Sequence, residues 1–142
     1  MSETDELLDR LRIRELVERY GMCADLRDQA QFGSLFAQDA VLTAGGTDHH
    51  GPKEIAEVLN LLAERYPHSM HFVGNHIVEL SGDEATGITY CLAHHLYPKD
   101  DVQRDTLMLI RYHDAYRRTP HGWRFTSREL VMDWQEDRPI SV

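Results

Sequence analysis

The stretch from His68 to Tyr97 constrains this chain most. It is rich in Val, Ile, Thr, Tyr and Phe, the residues that suit a pleated, half-buried surface, and it is broken once, at Ser81-Gly82-Asp83-Glu84. That pattern predicts two long antiparallel strands joined by a tight turn, with Ser69 to Leu80 in the first and Ala85 to Tyr97 in the second. Five of the nine histidines lie in it: His68, His71, His76, His94 and His95. Side chains of a strand alternate between faces, so His71, Val73 and Asn75 are expected on one side, and Cys91, Ala93 and His95 likewise share a side. The hairpin could therefore present His71 and His95 on one concave surface.

Before the hairpin the periodicity is helical. Residues 3 to about 27 carry Leu7, Leu8, Leu11, Leu16, Val17 and Tyr20 at helical spacing, with Thr4 as the expected N-cap and acids in the first turn. Asp25 falls at the edge of that apolar stripe, where it reads either as a functional carboxylate or as a helix-end cap. A short helix is expected over Gln29 to Phe36, then a strand around Asp39–Thr43 ended by Gly45-Gly46. Pro52 suits the first turn of a third helix running to about Arg65, with Ile55, Val58, Leu59 and Leu62 on its buried face. His49 and His50 read as solvated turn or edge-strand residues. After the hairpin, strands are expected over about Asp105–Arg117 and Trp123–Trp134, joined at Thr119-Pro120-His121-Gly122. Helices gathered before antiparallel strands make the class α+β: one curved sheet with helices packed on one side and a pocket between.

With 142 residues the chain is expected to form one domain, residues 1–142. A formal net charge of −9 argues against nucleic acid or an anionic membrane surface as partner, since both require clustered Lys and Arg. No apolar run approaches the roughly 20 residues that span a bilayer. The acidic N-terminus lacks a signal-peptide pattern, so a cytoplasmic location is the default expectation. Cys23 and Cys91 are too few and too far apart for a disulfide framework or a metal finger, and read as buried free thiols.

The candidates for acid–base chemistry are His71, His95 and Asp25. A histidine titrates near neutral pH, and a carboxylate beside it fixes its tautomer and supports its cation. Spacing alone does not bring the three together, because they lie on separate elements. A metal site is the competing use, yet His94 and His95 face opposite ways on a strand and no carboxylate or cysteine cluster completes a ligand set, so neither metal nor cofactor is expected. Tyr20, Tyr112 and Asn75 are candidate substrate-orienting groups, although tyrosines at such positions also serve as core. Trp123 and Trp134 read as structural, closing the last strand.

The order of these motifs resembles the SnoaL-like branch of the nuclear transport factor 2-like superfamily, and within it the scytalone dehydratase-like subgroup. The resemblance rests on RELVERYGMCADLRD ending around Asp25, LFAQDAVL, HHGPKEI, HFVGNHIVELSGDEATGITYCLAHH and RYHDAYRRTPHGWRFTSREL. It implies a cone of three helices closing a curved, mostly antiparallel sheet over a cavity. In the dehydratase an aspartate at the first helix end and two sheet histidines do the chemistry; Asp25 and His71 match the first two. His95 matches the second histidine, with His94 one residue of register away. Ala24 and Tyr112 stand where the dehydratase has a tyrosine and an asparagine. The resemblance implies a cofactor-independent dehydratase, lyase or isomerase acting on a small cyclic, largely apolar substrate such as a polyketide- or steroid-like ketone. The same scaffold also serves non-catalytic binding proteins. Family members assemble through the open side of the sheet, so a homo-oligomer, dimer or trimer, is expected.

Overall fold

A computed structural model describes residues 1–141. The chain runs α1 (Glu3–Leu26), α2 (Gln29–Ser34), β1 (Phe36–Ala44), β2 (Thr47–His50), α3 (Gly51–Arg65), β3 (His68–Ser81), β4 (Glu84–Lys99), β5 (Val102–Thr119) and β6 (Gly122–Pro139). The six strands form one sheet in the order β2-β1-β6-β5-β4-β3. Every pairing is antiparallel except β1 with β6. The helices lie across one face of this curved sheet, which gives the expected α+β cone. Its core is aromatic: Tyr20, Phe32, Phe36, Tyr112, Tyr116 and Phe125 are all buried. Phe36, expected at a helix end, instead opens β1.

The first helix is where sequence phase and tertiary phase part. Its N-cap is Ser2 rather than Thr4, in a capping box with Asp5. The buried face runs through Asp9, Ile13, Leu16, Val17, Tyr20 and Ala24, while Leu7, Leu8 and Leu11 stand exposed. Asp9 occupies the place expected of a leucine because its carboxylate is bound there. Both Arg118 Nη atoms donate to it at 2.9 and 2.7 Å, and Trp123 Nε1 at 2.9 Å. A buried acid so paired sets the phase more firmly than leucines without a surface to meet. Trp123 is thus structural as expected; Trp134 is not, being 58% exposed.

The sheet holds the site at its β3 edge. Helix α1 covers that edge: Arg10 donates to the Val78 carbonyl at 2.6 Å and Arg14 to that of Gly74 at 2.8 Å. These guanidinium groups satisfy acceptors that an open edge would offer to another strand. Close approach is possible because Gly21 has no side chain. A Cβ there would come within 3.2 Å of His71 Cβ. The end of α1, carrying Asp25, is thereby laid against the start of β3, carrying His71.

A β-bulge between Val73 and His76 changes which β3 residues face inward. His71 pairs with Ala93 and Val73 with Cys91, but after one extra residue His76 pairs with Thr89. His76, Val78 and Leu80 therefore continue the inner row. Asn75 is exposed and does not share the side of His71 and Val73 as strict alternation predicts.

Candidate active site

Asp25 sits in the last turn of α1, His71 near the start of β3 and His95 on β4. The fold brings all three together. Asp25 Oδ1 lies 2.7 Å from His71 Nδ1, and Asp25 Oδ2 accepts the His71 backbone N–H at 2.9 Å. The Ser69 hydroxyl donates to Oδ1 at 2.9 Å. Burial pushes the Asp25 carboxyl upward, but the two His71 hydrogen bonds and that of Ser69 outweigh it and hold it below the usual carboxylate range. An ionised carboxylate only accepts, so the His71 proton resides on Nδ1 and its Nε2 carries a free lone pair. The His71 side chain is 7% exposed.

The His95 ring stands edge-on to His71, with centroids 5.5 Å apart at 83°. Its Nδ1 faces the Thr106 carbonyl at 3.2 Å. Burial first, and then the neighbouring His71, lower its pKa from 6.5 to about 4, so His95 is neutral at pH 7. Tyr66, at the end of α3, packs its ring 4.9 Å from that of His95. Behind Tyr66 lies a cleft of about 330 Å³ lined by Arg65, Tyr66, Tyr97, Thr106, Gln135 and Asp137. A larger one, about 620 Å³, lies away from these histidines against Ile77, Ile88, Tyr90, His113 and Glu129.

The remaining candidates are placed differently. His94 points away from His95, as neighbours on a strand must. Its Nδ1 meets buried Asp105 at 2.6 Å, and the other Asp105 oxygen accepts the His95 backbone N–H at 3.1 Å. Tyr112 and Tyr20 are buried core residues, 2% and 6% exposed, with ring centroids 5.4 Å apart. Burial raises the pKa of both hydroxyls. Cys23 and Cys91 are free and buried, and burial pushes the Cys91 thiol up to about 12. Among the described residues no group of three or more His, Cys, Asp and Glu side chains is arranged to hold a metal ion.

Beside this cluster lies a second polar group that strand alternation conceals. Arg128 is 1% exposed, and its Nε donates to Asp114 Oδ1 at 2.8 Å. Asp114 Oδ2 also accepts from Thr89 at 2.7 Å and from Tyr116 at 3.0 Å. The guanidinium lies over the rings of Tyr112 at 3.7 Å and Tyr20 at 4.2 Å. Tyr116 in turn meets His76 Nε2 at 3.2 Å, and burial lowers His76 to about 4. Counting by twos from Trp123 and Phe125 puts Ser127 inside and Arg128 outside. A bulge between Ala115 and Tyr116 inserts Thr126 and reverses them.

A family model described as SnoaL-like domain matches residues 5–129. An uncharacterized protein of Mycobacterium tuberculosis (strain ATCC 25618 / H37Rv) is 30% identical over 131 residues, covering 90% of this chain and 88% of its own. Among solved structures, the hexachlorocyclohexane dehydrochlorinase LinA-type3 from Novosphingobium barchaimii LL02 superimposes with a TM-score of 0.87 at 23% identity, covering 99% of this chain and 95% of that one. A proposed scytalone dehydratase from Novosphingobium aromaticivorans DSM 12444 does so with a TM-score of 0.84 at 22% identity, covering 97% and 93%. At such identities the likeness is one of fold.

Proposed function

The chain belongs to the SnoaL-like domain family, and on that premise we propose that it is a cofactor-independent acid–base enzyme of the lyase type. The observation that carries this reading is the 2.7 Å contact between Asp25 and His71, with the neutral ring of His95 alongside. His71 Nε2 is the general base. It takes a proton from a carbon next to a carbonyl, and Asp25 stabilises the imidazolium that forms. His95 Nδ1 faces a carbonyl, which only accepts, so its proton lies there and its Nε2 can accept from a substrate hydroxyl. That hydrogen bond orients the substrate against His71. A compact, largely apolar cyclic ketone of polyketide or steroid type suits the surroundings of the two histidines, where Tyr66 packs against His95 and buried Ala93 and Cys91 pair with His71 and Val73. Dehydration of a hydroxyketone is the leading reaction. His71 Nε2 takes the proton next to the carbonyl, the neighbouring C–O bond breaks, and the His71 imidazolium returns that proton to the departing hydroxide, which leaves as water. Isomerisation through an enolate uses the same base. A purely binding role does not call for Asp25 to touch His71.

The test is a screen of hydroxylated and unsaturated cyclic ketones with native protein and with His71→Ala. The native protein is expected to turn over a member of the panel, and the variant to lose about 10²–10⁴ in rate while remaining folded. Native-level turnover in the variant would overturn the assignment of His71.

The outer sheet face bears Phe72, Ile77 and Trp134, each more than half exposed at 66%, 71% and 58%. This supports assembly of identical chains, as dimer or trimer, through that face. Light scattering of native protein and of Phe72→Glu is expected to show an oligomer that the variant breaks; a monomeric native protein would remove the proposal.

A further inference from the structure

Arg27 follows the last residue of α1 and adopts φ 56° and ψ 36°, the left-handed region. Its backbone N–H bonds the Ala24 carbonyl at 3.1 Å, and the next N–H, of Asp28, bonds that of Cys23 at 2.9 Å. This closing turn favours glycine, because a side chain in the left-handed region costs about 1 kcal/mol. An arginine here therefore points to a use for its guanidinium beyond ending a helix.

That guanidinium joins three elements. Nη1 donates to the Ala24 carbonyl at 2.6 Å and to the Ser69 hydroxyl at 2.7 Å, and Nη2 donates to the Tyr66 carbonyl at 2.8 Å. A guanidinium only donates, so the Ser69 oxygen must accept and its single proton is free to go to Asp25 Oδ1, 2.9 Å away. The direction of each bond in the series Arg27, Ser69, Asp25, His71 follows from the one before it. Through Tyr66 the same group fixes the end of α3, whose ring rests on His95. The buried Nε of Arg27 has no hydrogen-bond partner. Evidently the side chain is placed for what its Nη atoms hold, at the cost of that third donor.

We propose that Arg27 is a positioning residue, which sets the Ser69 hydroxyl and thereby the carboxylate that orients His71, and which holds Tyr66 over His95. This rests on reading Asp25 and His71 as the acid–base pair, but it makes a structural claim that is checked without any substrate. Glycine at position 27 is compatible with the backbone and removes only the guanidinium. Alanine at position 69 removes only the link to Asp25.

The experiment is nitrogen-15 NMR of the histidine rings in native protein, Arg27→Gly, Arg27→Lys and Ser69→Ala, alongside thermal unfolding. Native His71 is expected as a single Nδ1–H tautomer with a slowly exchanging ring proton. Arg27→Gly and Ser69→Ala should each show exchange of that proton faster by about tenfold, the weight of one lost hydrogen bond, and a mixture of tautomers. Arg27→Lys, whose single ammonium can reach Ser69, should recover part of the native signature. Should Arg27→Gly fail to fold, Ser69→Ala carries the test alone. A native His71 signature in Arg27→Gly, or in Ser69→Ala, overturns the proposal even where His71→Ala has abolished turnover. Conversely, a disturbed signature upholds it even if no ketone is turned over.

Discussion

Two aspartates in this protein each hold a cationic or basic partner inside the cone, and they do so to opposite effect. Asp114 binds Arg128, with side chains 0% and 1% exposed, and every acceptor of the carboxylate is used by protein donors. Burial disfavours the Arg128 cation, but Asp114 and the flanking tyrosines outweigh this and raise its pKa. The guanidinium therefore keeps its charge, and the carboxylate has no acceptor left for a substrate. Asp25 binds His71, with side chains 24% and 7% exposed, and a neutral imidazole leaves one ring nitrogen free. A buried pair whose cation is a guanidinium shapes a core; one whose basic member is an imidazole with a free ring nitrogen can take up a proton and pass it on. The difference lies in the partner, not in the aspartate.

The same substitution at both carboxylates probes this contrast most severely. Asp114→Asn strands the Arg128 charge in a closed core and is expected to cost about 3–5 kcal/mol in urea unfolding. Replacing both partners by apolar residues, as Asp114→Leu with Arg128→Met, is expected to cost far less than the single change. If the double variant proves as unstable as the single one, the pair contributes more than charge neutrality and the contrast fails.

A pH titration gives the next largest effect. His95 and His76 sit at about 4 in the folded protein against 6.5 in an unfolded chain. Between those values the unfolded chain binds protons that the folded one does not, so the contribution of these two histidines makes stability fall as pH falls from 6.5 to 4. Below 4 that contribution is constant, and the further loss comes from the depressed carboxylates of Asp9 and Asp25. His95 alone contributes up to roughly 3 kcal/mol of that loss. Urea midpoints across this range should show the slope, and His95→Gln should reduce it; an unchanged slope would mean that His95 is hydrated in the fold.

The smallest effect on stability is expected where the chemistry is placed. Asp25→Asn keeps an acceptor for His71 at a partly exposed site, and should lower stability by only about 1 kcal/mol. If it destabilises as much as Asp114→Asn, the two pairs are alike and Asp25 is a core anchor.

Several features were legible before any coordinates. The α+β class, the hairpin turn at Gly82 and the approximate strand and helix spans all follow from periodicity and turn residues. So does the separation of His94 from His95, because adjacent strand residues must diverge. The convergence of Asp25, His71 and His95 was not legible, since nothing local to any of them says that Arg10, Arg14 and Gly21 lay α1 along the β3 edge. Buried Asp9 carries no local signal for the same reason: its partners Arg118 and Trp123 are more than a hundred residues away.

The sequence by itself determined which segments are helical or extended and which residue types could carry proton transfer. Those follow from local backbone preference and from chemistry that each side chain brings with it. Tertiary structure alone decided which faces those residues occupy. One extra residue in a strand reverses everything beyond it, and the bulges at Val73/His76 and Ala115/Tyr116 turned Asn75 outward and Arg128 inward. A bulge forms where strand pairing and sheet curvature demand it, and that demand comes from neighbouring strands rather than from the residue that is displaced.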